Sequence, residues 1–123
     1  MADHWTGSDA LAEVAAWWEK KADEEIERTM PKVSEYGATD LEEIGRHMVA
    51  AGVKPPMGAP GTWATPQRQE LGIYFYIVGK MARWSDAVAR GEFVSDDTLF
   101  DIGVYIRMVQ RIREAGGWPN ARH

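Results

Sequence analysis

The chain has 123 residues, of which 45% are hydrophobic and 27% charged, and its formal net charge is -5. Length and composition set a single globular domain over residues 1–123 as the expectation and exclude whole-chain disorder. An acidic balance with scattered basic residues argues against broad nucleic-acid binding, and the lack of cysteine excludes disulfides, thiolate metal sites and a cysteine nucleophile.

No apolar run approaches the ~18 residues of a membrane span, and no signal-type segment opens the chain. No helix pairs a Lys-rich face with an apolar one, so a membrane-surface role has no support. The reading is a cytoplasmic, unprocessed chain (in the host cytoplasm if phage-encoded) that makes no membrane contact.

Residues 1–7 read as a loose leader. Ser8 or Asp9 can cap a first helix, along which Leu11, Val14, Ala15, Trp18, Ala22, Ile26 and Met30 recur in steps of three and four. Pro31 is expected to end or kink it. Gly37 marks a turn, and Thr39 followed by Glu42 has capping-box spacing. A second helix then runs to about Ala51, with Leu41, Ile44 and Met48 inward and Gly52 as its stop.

Residues 53–65 form a Pro/Gly loop, either a plain connection or a lid over substrate. Thr65 as cap and Pro66 at the first position open a third helix that runs to Arg90. At 1.5 Å per residue it spans about 37 Å. Its "LGIYFYIVGKMA" run is apolar nearly all round, so it should be the central helix. Ser95 caps a fourth helix, expected to be largely buried, that ends near Ala115 before Gly116 and Gly117. No strand alternation, repeat or low-complexity segment is present. The expected fold is all-α and four-helix bundle-like.

Six tryptophans are many for this length. Core and interface packing is their ordinary use, and stacking on a base or a partner is the functional one.

The carboxylates carry the chemical interest. Asp97 lies in the first turn of helix four, where the helix dipole alone justifies it. Asp101 lies one turn further in, among Val104, Tyr105 and Met108, where an unpaired carboxylate is costly. Two solutions stand. One is an ion pair with Lys80, Arg83 or Arg107. The other is a divalent cation held by Asp97, Asp101 and a carboxylate from another helix, with Mg2+ suited to oxygen ligands. Glu70 is the candidate third ligand. In an antiparallel pairing of helices three and four it lies far from Asp97 and Asp101, so it joins them only through other packing or a second subunit. Glu24 and Glu27 share a face of helix one, and Glu35 follows after Pro31. Lys80 and Arg83 are candidate phosphate contacts, against a salt bridge for Lys80 and a solvated surface position for Arg83. His4, His47 and His123 show no ligand spacing, and no phosphate-binding loop or nucleophile elbow occurs.

"EYG", "ELGIYFYIVGKMARW" and "SDDTLFDIGVYIRMVQRIREAGGWP" resemble small phage proteins of the MazG-like group, all-α nucleoside triphosphate pyrophosphohydrolases. The resemblance spans about Glu35 to Pro119, and "DTLFDIGVY" is its best segment. It implies an all-α NTP pyrophosphatase-type fold and a homodimer or larger homo-oligomer. It implies Mg2+ on Glu70, Asp97 and Asp101, which would also be the catalytic residues. It implies cleavage of a (d)NTP to (d)NMP and pyrophosphate. Lys80 and Arg83 would then stabilise phosphate charge, and Trp63 or Trp84 would stack on the base. The chain departs from the family's ExxE-then-ExxD pattern. Ile73 stands where a second glutamate belongs after Glu70, Glu24 and Glu27 keep the spacing on an earlier helix, and Thr98 precedes Asp101 in the glutamate place. The competing expectation is a non-catalytic helical module that binds a nucleotide or a host protein. DNA binding through Arg107, Arg111 and Arg113 is a third.

Overall fold

Four helices account for the regular structure, and no strand occurs among the described residues: α1 (Gly7–Glu35), α2 (Thr39–Ala50), α3 (Thr65–Ala89) and α4 (Asp96–Ala115). They come from a computed structural model that describes residues 7–35, 39–54 and 64–119. The all-α class expected from the periodicity is met. The chain divides into two compact units, residues 1–32 and 33–123.

In the first unit, α1 begins at Gly7, whose φ of 84° only glycine adopts freely. Asp9 in the first turn and Lys32 in the last complement the helix dipole. The helix does not end before Pro31 but continues to Glu35. Pro31 removes one N–H and crowds one carbonyl of the preceding turn. The cost falls on the turn before Pro31, and the helix carries on for four residues beyond it. The stripe of Leu11, Trp18 and Ile26 is mostly exposed, and Trp17 packs edge-on against Trp18.

In the second unit, α3 contacts both α2 and α4, which do not contact each other. Leu41, Ile73 and Ile112 form the core, with Tyr76, Ile77, Tyr105, Met108, Val109 and Trp118 packed around them. Among the described residues, Ile73 is the large side chain that is wholly enclosed. The α2–α3 crossing is close because Gly45 lies on the backbone of Arg68 and Gly72 on the backbone of Leu41. These pairings run in opposite chain directions, so the two helices are antiparallel. The pairs Glu70–Arg113 and Lys80–Asp101 give α3 and α4 the same relation.

The helix ends follow their caps. Ser95 accepts a hydrogen bond from the Thr98 N–H, and Gly116 closes α4 with a φ of 87°. Thr65 is not the cap of α3 but its first residue. Ala64 holds the cap position, and its N–H is satisfied by the Gln67 side chain at 2.8 Å. Glu42 makes ion pairs with Arg46 and Arg68, a use that the capping-box spacing did not anticipate.

Two burial expectations need correction. Within residues 95–109 only Thr98 is buried, and Leu99 and Ile106 are exposed, because α3 alone covers α4 in this unit. Helix α3 is central, yet Tyr74, Phe75, Val78, Met81 and Val88 are exposed. The tryptophans are likewise not mainly core: Trp17, Trp18 and Trp84 are exposed, and Trp118 is half-buried.

Candidate functional site

The candidate site lies on the seam between α3 and α4. Residues 73, 77, 80, 84 and 87 recur in steps of four and three, so they share the face that α3 turns toward α4. Lys80 is the only charged member of that row. Its Nζ lies 2.8 Å from Asp101 Oδ2, and the two side chains are 18% and 32% exposed. Asp101 is therefore half-buried and paired, which is the first of the two solutions open to it.

Tyr105 stands one turn beyond Asp101 and stacks on Tyr76, with ring centres 5.6 Å apart and planes 9° from parallel. Burial pushes its phenol above the ordinary range. The negative charge of Asp101 and the neighbouring Tyr76 add to that, and the positive charge of Arg83 opposes it. Lys80, Arg83, Asp101 and Tyr105 thus form one cluster of interacting polar groups. Arg83 and Trp84 are exposed, and Asp97 is exposed one turn before Asp101 on α4.

Glu70 is elsewhere. Arg113 grips both its oxygens, with Nε to Oε1 at 2.7 Å and Nη2 to Oε2 at 2.9 Å. That two-pronged bond raises the Arg113 guanidinium further above its ordinary range. Ten residues of α3 separate Glu70 from Lys80, about 15 Å along the helix. Within one chain Glu70 is therefore not brought to Asp97 and Asp101. No group of three or more histidines and carboxylates is placed to hold a metal ion among the described residues.

Glu24 pairs with Lys21 at 3.4 Å, so Glu24 and Glu27 belong to α1 in the first unit. His47 is exposed. Trp63, His4, His123 and the Glu35 side chain lie outside the described residues. Of the α4 arginines, Arg111 donates to the Gly117 carbonyl and Arg113 to Glu70.

Sequence reasoning missed a second polar feature. Gln69 is buried, and its amide pairs with the backbone of Trp118: the Trp118 N–H donates to Oε1 at 2.9 Å, and Nε2 donates to the Trp118 carbonyl at 3.4 Å. The signal was available, because Gln69 is four residues before Ile73 and so on the core-facing row.

No helix among the described residues is long and apolar enough to cross a membrane. Comparison of the chain with known protein families, characterised proteins and solved structures finds no match.

Proposed function

We propose that the α3–α4 seam binds the phosphates of a nucleoside triphosphate and that the chain, as part of a homo-oligomer, cleaves it to the monophosphate and pyrophosphate. The observation that carries this reading is the Lys80–Asp101 pair with Arg83 and Tyr105 beside it. A half-buried ion pair adds little net stability over an apolar pair of the same shape. Charged groups clustered with a perturbed tyrosine are a frequent mark of functional sites. Lys80 and Arg83 supply positive charge for the oxygens among which negative charge spreads during phosphoryl transfer. Trp84, one turn from Lys80 and exposed, offers a ring to a base.

The MazG-like resemblance adds Mg2+. The described carboxylates of one chain do not fit that ion, since Lys80 occupies Asp101 and Arg113 occupies Glu70. A fuller cation shell would draw on carboxylates outside these two described pairs, such as those of a second copy.

The same two ion pairs favour a second reading, a helical module that binds a nucleotide or a protein and turns nothing over. Pyrophosphate release from a panel of dNTPs with Mg2+, run beside calorimetry of the same mixtures, separates the two. The hydrolase reading expects release that Asp101→Asn and Lys80→Met each reduce at least tenfold. Nucleotide binding without release selects the module, and neither binding nor release removes nucleotide from the account.

A further inference from the structure

Helix α3 carries an apolar face that neither of its neighbours in the second unit uses. Tyr74, Val78, Met81, Ser85 and Val88 recur in steps of four, three, four and three. That is the seam repeat of helices that pack along their length. Tyr74, Val78, Met81 and Val88 are 57%, 47%, 44% and 66% exposed. At about 100° per residue, the charged residues within this span, Lys80, Arg83 and Asp86, all lie about 120° or more from the centre of the stripe. The face is thus free of charge for about 21 Å.

We infer that this face is where a second copy of the chain docks, α3 against α3 across a two-fold axis. This locates the homo-oligomer contact of the reading above and does not depend on catalysis. Three observations favour a second copy over another partner. First, a face without charge offers no electrostatic pattern for a different protein to match, whereas a four-three repeat is complemented by another helix of the same repeat. Second, the stripe complements itself. An antiparallel two-fold axis at Met81 sets Tyr74 against Val88 at both ends, large against small, with Met81 against its own counterpart. Third, the area suffices. The exposed fractions of Tyr74, Val78, Met81 and Val88 leave roughly 400 Å² per copy, and with the exposed small residues Ala82, Ser85 and Ala89 beside them a pair reaches roughly 1,000 Å², near the lower bound of specific interfaces. The second unit also encloses few side chains by itself, Leu41, Ile73, Ala87 and Ile112 among its described apolar residues, as expected of a chain that completes its core by association.

The test is the mass of the full chain in solution, by sedimentation equilibrium from roughly 1 to 100 µM, a range that reaches micromolar dissociation constants. The expected result is a dimer that Val78→Glu combined with Met81→Glu converts to a monomer of unchanged helicity. The sequence contains no cysteine, so single cysteines report contacts cleanly. Met81→Cys is expected to form an interchain disulfide on mild oxidation, and Asp86→Cys on another side of α3 is not. This second arm decides the matter if the double variant fails to fold. A monomeric unchanged chain at 100 µM overturns the inference, whichever segment then covers the stripe. So does a dimer cross-linked through Asp86→Cys and not through Met81→Cys. Turnover is read separately. A dimer without pyrophosphate release leaves this contact standing and removes the hydrolase, and release by a monomer does the reverse.

Discussion

Gly45 of α2 and Gly72 of α3 occupy equivalent places on either side of one helix crossing. Gly45 rests on the backbone of Arg68, four residues before Gly72, and Gly72 rests on the backbone of Leu41, four residues before Gly45. A methyl group on Gly45 would lie 2.1 Å from the Arg68 carbonyl oxygen, and one on Gly72 would lie 2.2 Å from that of Leu41. The obstacle is main chain in both cases, so no side chain can turn aside to relieve it.

Gly45→Ala and Gly72→Ala are therefore each expected to destabilise the fold by about 2–4 kcal/mol, the upper range for overpacking. Gly79→Ala and Gly103→Ala meet open space inside helices and should stabilise by about 0.5–1 kcal/mol. Urea denaturation of the four variants checks the contrast. Equal effects at all four positions would refute the close crossing.

Asp101→Asn leaves Lys80 on the seam without its partner. A loss of about 1–3 kcal/mol is expected, below the cost for a fully buried pair because both groups keep some solvent. Replacing both, Lys80→Met with Asp101→Leu, should recover most of that loss. A double-mutant cycle with no coupling energy would show that the pair adds nothing.

Tyr105 ionises late, mainly because it is buried and next because Asp101 is near. Its raised value means that the folded chain holds this proton more tightly than the unfolded chain. Stability from this group is fully present below the ordinary tyrosine value of about 10 and falls as pH rises through the folded value. Absorbance titration should show a late tyrosine absent from Tyr105→Phe, which Asp101→Asn moves earlier. A titration curve unchanged by Asp101→Asn would place the cause in burial alone.

Glu42 behaves in the opposite sense. The hydrogen bond from Arg68 lowers its carboxyl, partly offset by burial, and Arg46 lowers it further. The stability it contributes is present above the ordinary glutamate value of about 4.3 and is lost as pH falls toward the folded value. Glu42→Gln should thus weaken the fold at pH 7, and that effect should shrink as pH falls below the ordinary glutamate value, as measured by thermal melts across this range.

The helix ends were legible wherever a cap acts through its own chemistry. Ser95 and Gly116 bound α4 as expected, because a hydroxyl and a left-handed glycine satisfy terminal groups locally. Pro31 does not end α1, because its fixed φ fits a helix and its cost is confined to the turn before it, which a helix of 29 residues absorbs. Lys80–Asp101 was one of two readings of Asp101, and only packing chose between them. Glu70–Arg113 went unread although the antiparallel pairing was weighed, because the partner of a carboxylate 43 positions away depends on helix register. Gly45 and Gly72 went unread, because a glycine inside a helix does not by itself show that another backbone needs its room. The burial of α3 and α4 was overestimated because apolar periodicity shows which face seeks cover, and not whether one chain provides it.

Gln69 holds Trp118 by its main chain and ignores its ring. The α3–α4 hairpin is thereby latched at the open end, opposite the short connection through Ser95. Arg113 on Glu70 and Arg111 on Gly117 sit at the same end and act as further stitches. Both ends of the hairpin are therefore tied, one by the chain itself and the other by side chains. A ligand that parts these helices would have to do so along the middle of the seam, between the connection and the latch.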